Sequence, residues 1–204
     1  MDFITNAVSE MFSSPTVTVG TVLSLLGMVF TVMSFQAKNK KTLIIIQTIG
    51  STFFFISYFF LGGVFGGIIN SFYLLRNFIF LKIDSDKEPL KARVVCLLLC
   101  TAYFASYAVY TFIVRPELIT CMLNLLPVGA SIGGTIALTE TKPVKIRIWK
   151  IPDSICWISY NTAILSLGGI LCEIFNITSN TISIIRFRDK KRKAGEPESH
   201  QPAE

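Results

Sequence analysis

Residues 42–81, TLIIIQTIGSTFFFISYFFLGGVFGGIINSFYLLRNFIFL, decide how this chain is read. Within them stands a single charged residue, Arg76, and a Gly62-Gly63 pair divides the stretch near its middle. A membrane-spanning helix takes roughly 20 mostly apolar residues. The stretch therefore reads as two spans placed back to back, 42–61 and 63–81. The apolar residues come in long runs, without the 2- or 3.6-residue alternation of an element half-exposed to water.

Five further runs of the same kind lie outward from this pair, at 16–35, 94–114, 118–138, 149–167 and 168–186. Together the seven leave no room for a soluble domain. The composition agrees: of 204 residues 16% are charged and the mean hydropathy is +0.58, where a soluble domain carries about 25% charge. The lack of strand-and-turn alternation argues against a β-barrel. The expected fold is an all-α membrane protein with seven transmembrane helices. Residues 1–15 lack a basic n-region and do not read as a cleaved signal, so the first span serves as the insertion signal. Residues 189–204 are charged and contain proline, and are expected to form a disordered cytoplasmic tail.

Charge sets the expected orientation. Lys38, Lys40 and Lys41 follow the first span, and Lys82, Lys87, Lys91 and Arg93 the third. Lys142, Lys145, Arg147 and Lys150 surround the start of the sixth, and Arg186, Arg188 and Lys190 to Lys193 follow the seventh. The opposite side has Arg115, and the turns expected at Gly62-Gly63 and Gly168-Gly169 have no basic residue. Basic loops stay cytoplasmic, which puts the N-terminus outside and the C-terminus inside and requires an odd number of spans.

The net charge of +6 is thus membrane anchoring, not a nucleic-acid surface. The five cysteines, Cys96, Cys100, Cys121, Cys156 and Cys172, lie in apolar runs without a CxxC pair and read as small packing residues. The one histidine, His200, is in the tail. No nucleotide-binding loop, HExxH or GxSxG occurs, so no enzyme signature and no cofactor are read here.

A shift of 102 residues lays the second and third runs over the sixth and seventh. Ile56-Ser57-Tyr58 falls on Ile158-Ser159-Tyr160, Gly66-Gly67-Ile68 on Gly168-Gly169-Ile170, and Phe55 on Trp157. The repeat implies two parallel three-helix units, 16–81 and 118–188, joined by the linker helix 94–114. That 3+1+3 layout is known among transporters, with substrate sites at the unit interface near midplane.

Polar residues kept inside apolar spans usually face the bundle or a cavity. Glu173, Asn176 and Asn180 stand at i, i+3 and i+7, one helical face, and Asn70 and Asn77 make a similar face in the third span. These five are candidate substrate contacts, against the alternative that the amides only join helices. Tyr58, Trp157 and Tyr160 are candidates for ring stacking, because the repeat relates them. Arg76 and Asp153, at similar depth, are an expected ion pair. Pro127 is expected to interrupt the fifth span and Pro152 to open the sixth.

The stretch Trp157-Ile158-Ser159-Tyr160-Asn161, followed by Gly168-Gly169, Glu173, Asn180 and Ile184-Ile185-Arg186-Phe187, resembles the YgjV family of bacterial inner-membrane proteins. Leu125-Leu126-Pro127-Val128 is similar to that family's Leu-Leu-Pro stretch, and the resemblance runs over roughly residues 18 to 190. The family is distantly similar to the SWEET and PQ-loop transporters, which implies the 3+1+3 arrangement and an Asn sugar contact in the third helix of each unit. Asn70 matches the first. The position equivalent to it is Cys172, so Asn176 or Asn180 would take the second place. The nicotinamide riboside transporters share the architecture.

The function expected from these readings is a SWEET-like small-molecule transporter in the bacterial inner membrane. The alternative is a non-transporting scaffold or assembly factor. The partners are the lipid bilayer, an unnamed small polar solute, and a second copy of the chain if it forms a homo-oligomer.

Overall fold

A computed structural model describes residues 14–34, 40–83, 85 and 87–195, and these form seven α-helices without a strand. In chain order they are α1 (Pro15–Ser34), α2 (Lys40–Phe60), α3 (Val64–Lys82), α4 (Pro89–Val114), α5 (Leu118–Thr139), α6 (Pro143–Ala163) and α7 (Leu167–Gly195). Long apolar runs become helices because a helix satisfies its backbone polar groups within itself, which hydrocarbon demands. Lys38 of the first expected inner loop lies outside the described residues, as do 1–13 and 196–204.

Five helices are long and apolar enough to cross a membrane: α1, α3, α4, α5 and the Leu167–Arg186 part of α7. The apolar part of α2, Ile44–Phe60, is shorter. α6 carries Lys145, Arg147, Lys150 and Asp153. Three of these four charged residues line a cavity inside the bundle, so the helix need not be apolar throughout.

Several boundaries differ from the sequence reading, and prolines account for most. α4 begins at Pro89, not at residue 94, because a proline at the first helical position loses no hydrogen bond. α6 likewise begins at Pro143. Pro152 is therefore inside α6 and does not open it, and Pro127 is buried inside a continuous α5 and does not interrupt it. Membrane helices carry such prolines because neighbouring groups take over the freed carbonyl. α7 continues past Arg188 to Gly195, since its basic residues are good helix formers and no breaker intervenes.

The two short turns close alike. Gly62 takes a φ of 76°, and the Gly63 N–H donates to the Tyr58 carbonyl at 2.8 Å. Between α6 and α7, Leu165 takes a φ of 53°, and the Ser166 N–H donates to the Asn161 carbonyl at 2.8 Å. This second turn lies at 164–166. It does not lie at Gly168-Gly169, where the sequence reading put it, and those glycines belong to α7.

Consecutive helices pack on one another, α1 on α2, α2 on α3, α5 on α6 and α6 on α7. In addition, α1 packs on α7 and α5 on α3, while α4 lies against α3 and α5. Small residues allow these approaches. A Cβ at Gly168 would run into the Ser24 backbone, and the Gly168 N–H donates to Ser24 Oγ at 3.1 Å. Ser57 Oγ donates to the Gly20 carbonyl at 2.9 Å, tying α2 to α1. Tyr103 and Thr135 share a hydrogen bond of 3.0 Å between α4 and α5. Outward-facing Leu97, Phe112, Ile113 and Leu118 are largely exposed, as suits side chains that meet lipid.

Candidate functional site

A cavity of about 310 Å³ opens within the bundle, inside the range of small-molecule pockets. Its described walls come from α1, α2, α3, α5, α6 and α7, and no lining residue belongs to α4.

Two helices contribute regular stripes to the wall. On α2, Gln47, Ser51, Phe54 and Tyr58 recur at i, i+4, i+7 and i+11. On α6, Lys150, Asp153, Trp157 and Asn161 recur at i, i+3, i+7 and i+11. Both spacings hold one helical face inward.

One side of the cavity is aromatic. The rings of Tyr58 and Trp157 stack between α2 and α6, with centroids 5.8 Å apart and planes 5° from parallel. Phe54 also stacks on Tyr58, at 6.4 Å between centroids. Offset stacking of this kind adds to what burial alone contributes. Tyr58 is further held by its hydroxyl, which donates to Asn161 Oδ1 at 3.2 Å.

The other side is charged and polar. Lys150 Nζ lies 2.7 Å from Asp153 Oδ2. Asp153 Oδ1 is buried with no hydrogen-bond partner, and so is Asn70 Oδ1. On α7, Asn176 Nδ2 donates to Glu173 Oε2 at 3.0 Å. Asn180 completes this stripe one turn further along the wall.

Six of the eight sequence candidates thus meet around one space: Asn70, Glu173, Asn176, Asn180, Tyr58 and Trp157. Asn77 and Tyr160 do not line it. Asn77 is buried against α2 and donates to Thr48 Oγ1 at 3.4 Å. Tyr160 turns toward α3, where its hydroxyl accepts the Gly66 N–H at 2.9 Å and its ring meets Tyr58 and Trp157 edge-on. Both are joints between helices.

The expected pairing of Arg76 with Asp153 is replaced by Lys150–Asp153. Arg76 is buried between α3 and α5 instead. Its guanidinium lies 3.5 Å from the Tyr73 ring centroid, and Nη1 donates to Thr135 Oγ1 at 3.5 Å. Arg76 Nη1 and Asp153 Oδ2 both approach the position a Cβ would take at Gly134, at 2.9 and 3.0 Å. The close i,i+3 position of Lys150 on the same helix wins over a partner from another helix.

Gln47, Ser51, Tyr73, Lys150 and Asn161 were not singled out from the sequence as site residues. The α2 stripe was legible there, because Gln47 and Ser51 are polar positions in register with Tyr58. Lys150 reads in sequence as part of the inner-loop charge with Lys142, Lys145 and Arg147.

No curated protein and no solved structure matches the chain. A family model does, over residues 18–191, which takes in all seven helices. The residues around the cavity therefore lie on a multi-pass protein of the bacterial inner membrane, and the chain belongs to the YgjV family of bacterial inner membrane proteins.

Proposed function

We propose that this protein is a carrier for a small polar solute, with its binding site in the cavity between two three-helix units, α1–α3 and α5–α7. It acts by binding and release, without covalent chemistry. The observation that carries the reading is the cavity itself: six candidates drawn from four helices line one space. Scattered amides serving only to join helices would not converge so.

The arrangement of helices supports a duplicated, SWEET-like 3+1+3 layout. The first helix of each unit packs on the third helix of the other, α1 on α7 and α5 on α3, and α4 supplies no wall. The two units close their last turns with the same five-residue hydrogen bond, from Gly63 to Tyr58 and from Ser166 to Asn161. Such repeats place a site near midplane and let one unit rock against the other. The basic loops set the N-terminus outside and the C-terminus in the cytoplasm.

The test is uptake into proteoliposomes of sugars, nucleosides, amines and vitamins, with Glu173→Gln beside the wild type. Uptake of one class by the wild type, reduced at least tenfold in the variant, supports a carrier. No dissipation of any gradient by well-folded protein overturns it in favour of a scaffold or assembly factor.

A further inference from the structure

We infer that the cavity takes an organic cation, a protonated amine carried on a flat ring. This inference rests on the carrier reading of the same cavity.

Its acceptors set the ligand's hydrogen-bonding character. Asn70 and Asp153 line the cavity, are 6% and 4% exposed, and each has one buried side-chain oxygen without a hydrogen-bond partner. A buried acceptor without a donor is costly, and amide and carboxylate oxygens accept only. A ligand whose donors reach either oxygen relieves that cost.

Charge then separates a cation from a neutral polyol. Lys150 is committed to Asp153 at 2.7 Å. Glu173 has the Asn176 donor but, among the described residues, no cationic partner within ion-pair distance. Arg147 also lines the cavity, at one turn's remove from Lys150 toward the start of α6. A hydroxyl would satisfy the two free oxygens and leave the charge of Glu173 unmatched. An ammonium group satisfies both. An anion would meet Glu173 and Asp153 together.

The aromatic wall sets the rest of the ligand. Phe54, Tyr58 and Trp157 form one stack across α2 and α6. Such a wall attracts a cation and packs a planar ring. The volume, about 310 Å³, is at the lower end for ligand pockets and suits one or two rings.

The experiment uses the full chain in lipid nanodiscs, with empty nanodiscs as the blank and calorimetric titration as the readout. Three probes share one ring and differ in charge: tyramine, the neutral alcohol tyrosol and the anion 4-hydroxyphenylacetate. Glucose is the polyol. Tyramine is expected to bind at least tenfold more tightly than the others, and Glu173→Gln to weaken it about tenfold or more. Equal or tighter binding of the alcohol, the anion or glucose overturns the inference, as does no binding of tyramine. The wild-type charge series decides even if the variant does not fold, and Asn70→Ala serves as a second variant expected to weaken tyramine. Tyramine flux into proteoliposomes separates the two readings. Transport of another solute without tyramine binding removes the cation and keeps the carrier. Tyramine binding without flux of any solute removes the carrier and keeps the site.

Discussion

Tyr58 and Asn161, the residues whose carbonyls close the two short turns of the bundle, are hydrogen-bonded to each other through their side chains at 3.2 Å. The contact joins α2 to α6 at the cavity wall, beside the stack of Tyr58 on Trp157. It links the fold to the site, because the same residue ends a helix and forms a wall.

Tyr58→Phe keeps the ring and removes the donor, leaving the buried Asn161 oxygen unpaired. A loss of about 1–2 kcal/mol in stability is expected. Thermal unfolding of the purified protein in detergent should show a lower midpoint, and Tyr58→Ala, which also removes the stack, a lower one still. A Tyr58→Phe protein as stable as the wild type would mean that the hydrogen bond contributes nothing net.

Asn70 and Asn77 look equivalent in sequence but should behave in opposite ways. Asn70 lines the cavity and has an unpartnered oxygen, whereas Asn77 bonds Thr48 and does not line the cavity. Asn77→Ala is expected to lower stability by about 0.5–1 kcal/mol with solute binding kept. Asn70→Ala is expected to leave stability nearly unchanged and to weaken binding. Measuring unfolding midpoint and ligand affinity on both variants checks the pair, and a shared phenotype would contradict the assignment.

Lys150→Met strands the Asp153 carboxylate, which is 4% exposed and already has one unpartnered oxygen. Breaking a pair of this burial costs about 3 kcal/mol, less what cavity water returns. The double variant Lys150→Met/Asp153→Asn should recover most of that loss, since it removes the stranded charge. A double-mutant cycle on unfolding midpoints measures the coupling, and additive effects would contradict it.

Gly168→Ala should prevent close packing of α1 on α7, because the new Cβ meets the Ser24 backbone, which cannot step aside. Overpacking of this kind costs about 1–3 kcal/mol or more. Gly129→Ala is the control, since its Cβ would meet only Cys156 Sγ, at 3.6 Å. Monodisperse yield after extraction should fall sharply for the first and stay near wild type for the second.

By itself the sequence determined the membrane, the helices and the stripe on α7. Hydrocarbon accepts only long apolar segments with internally paired backbones, so runs such as Val64–Lys82 read as spans from sequence alone. A one-face stripe such as Glu173, Asn176 and Asn180 follows from helical period alone. Tertiary structure decided which polar groups share a space. Asn70 and Asn77 lie seven residues apart on one helix, and only the position of α2 makes one a joint and the other a wall. Asp153 chose Lys150 over Arg76 because a neighbour on its own helix is held in place, while Arg76 is drawn onto Tyr73 and Thr135. The glycines at 168 and 169 read as a turn because a turn favours glycine. Their place inside α7 depends on Ser24, whose approach no local rule contains.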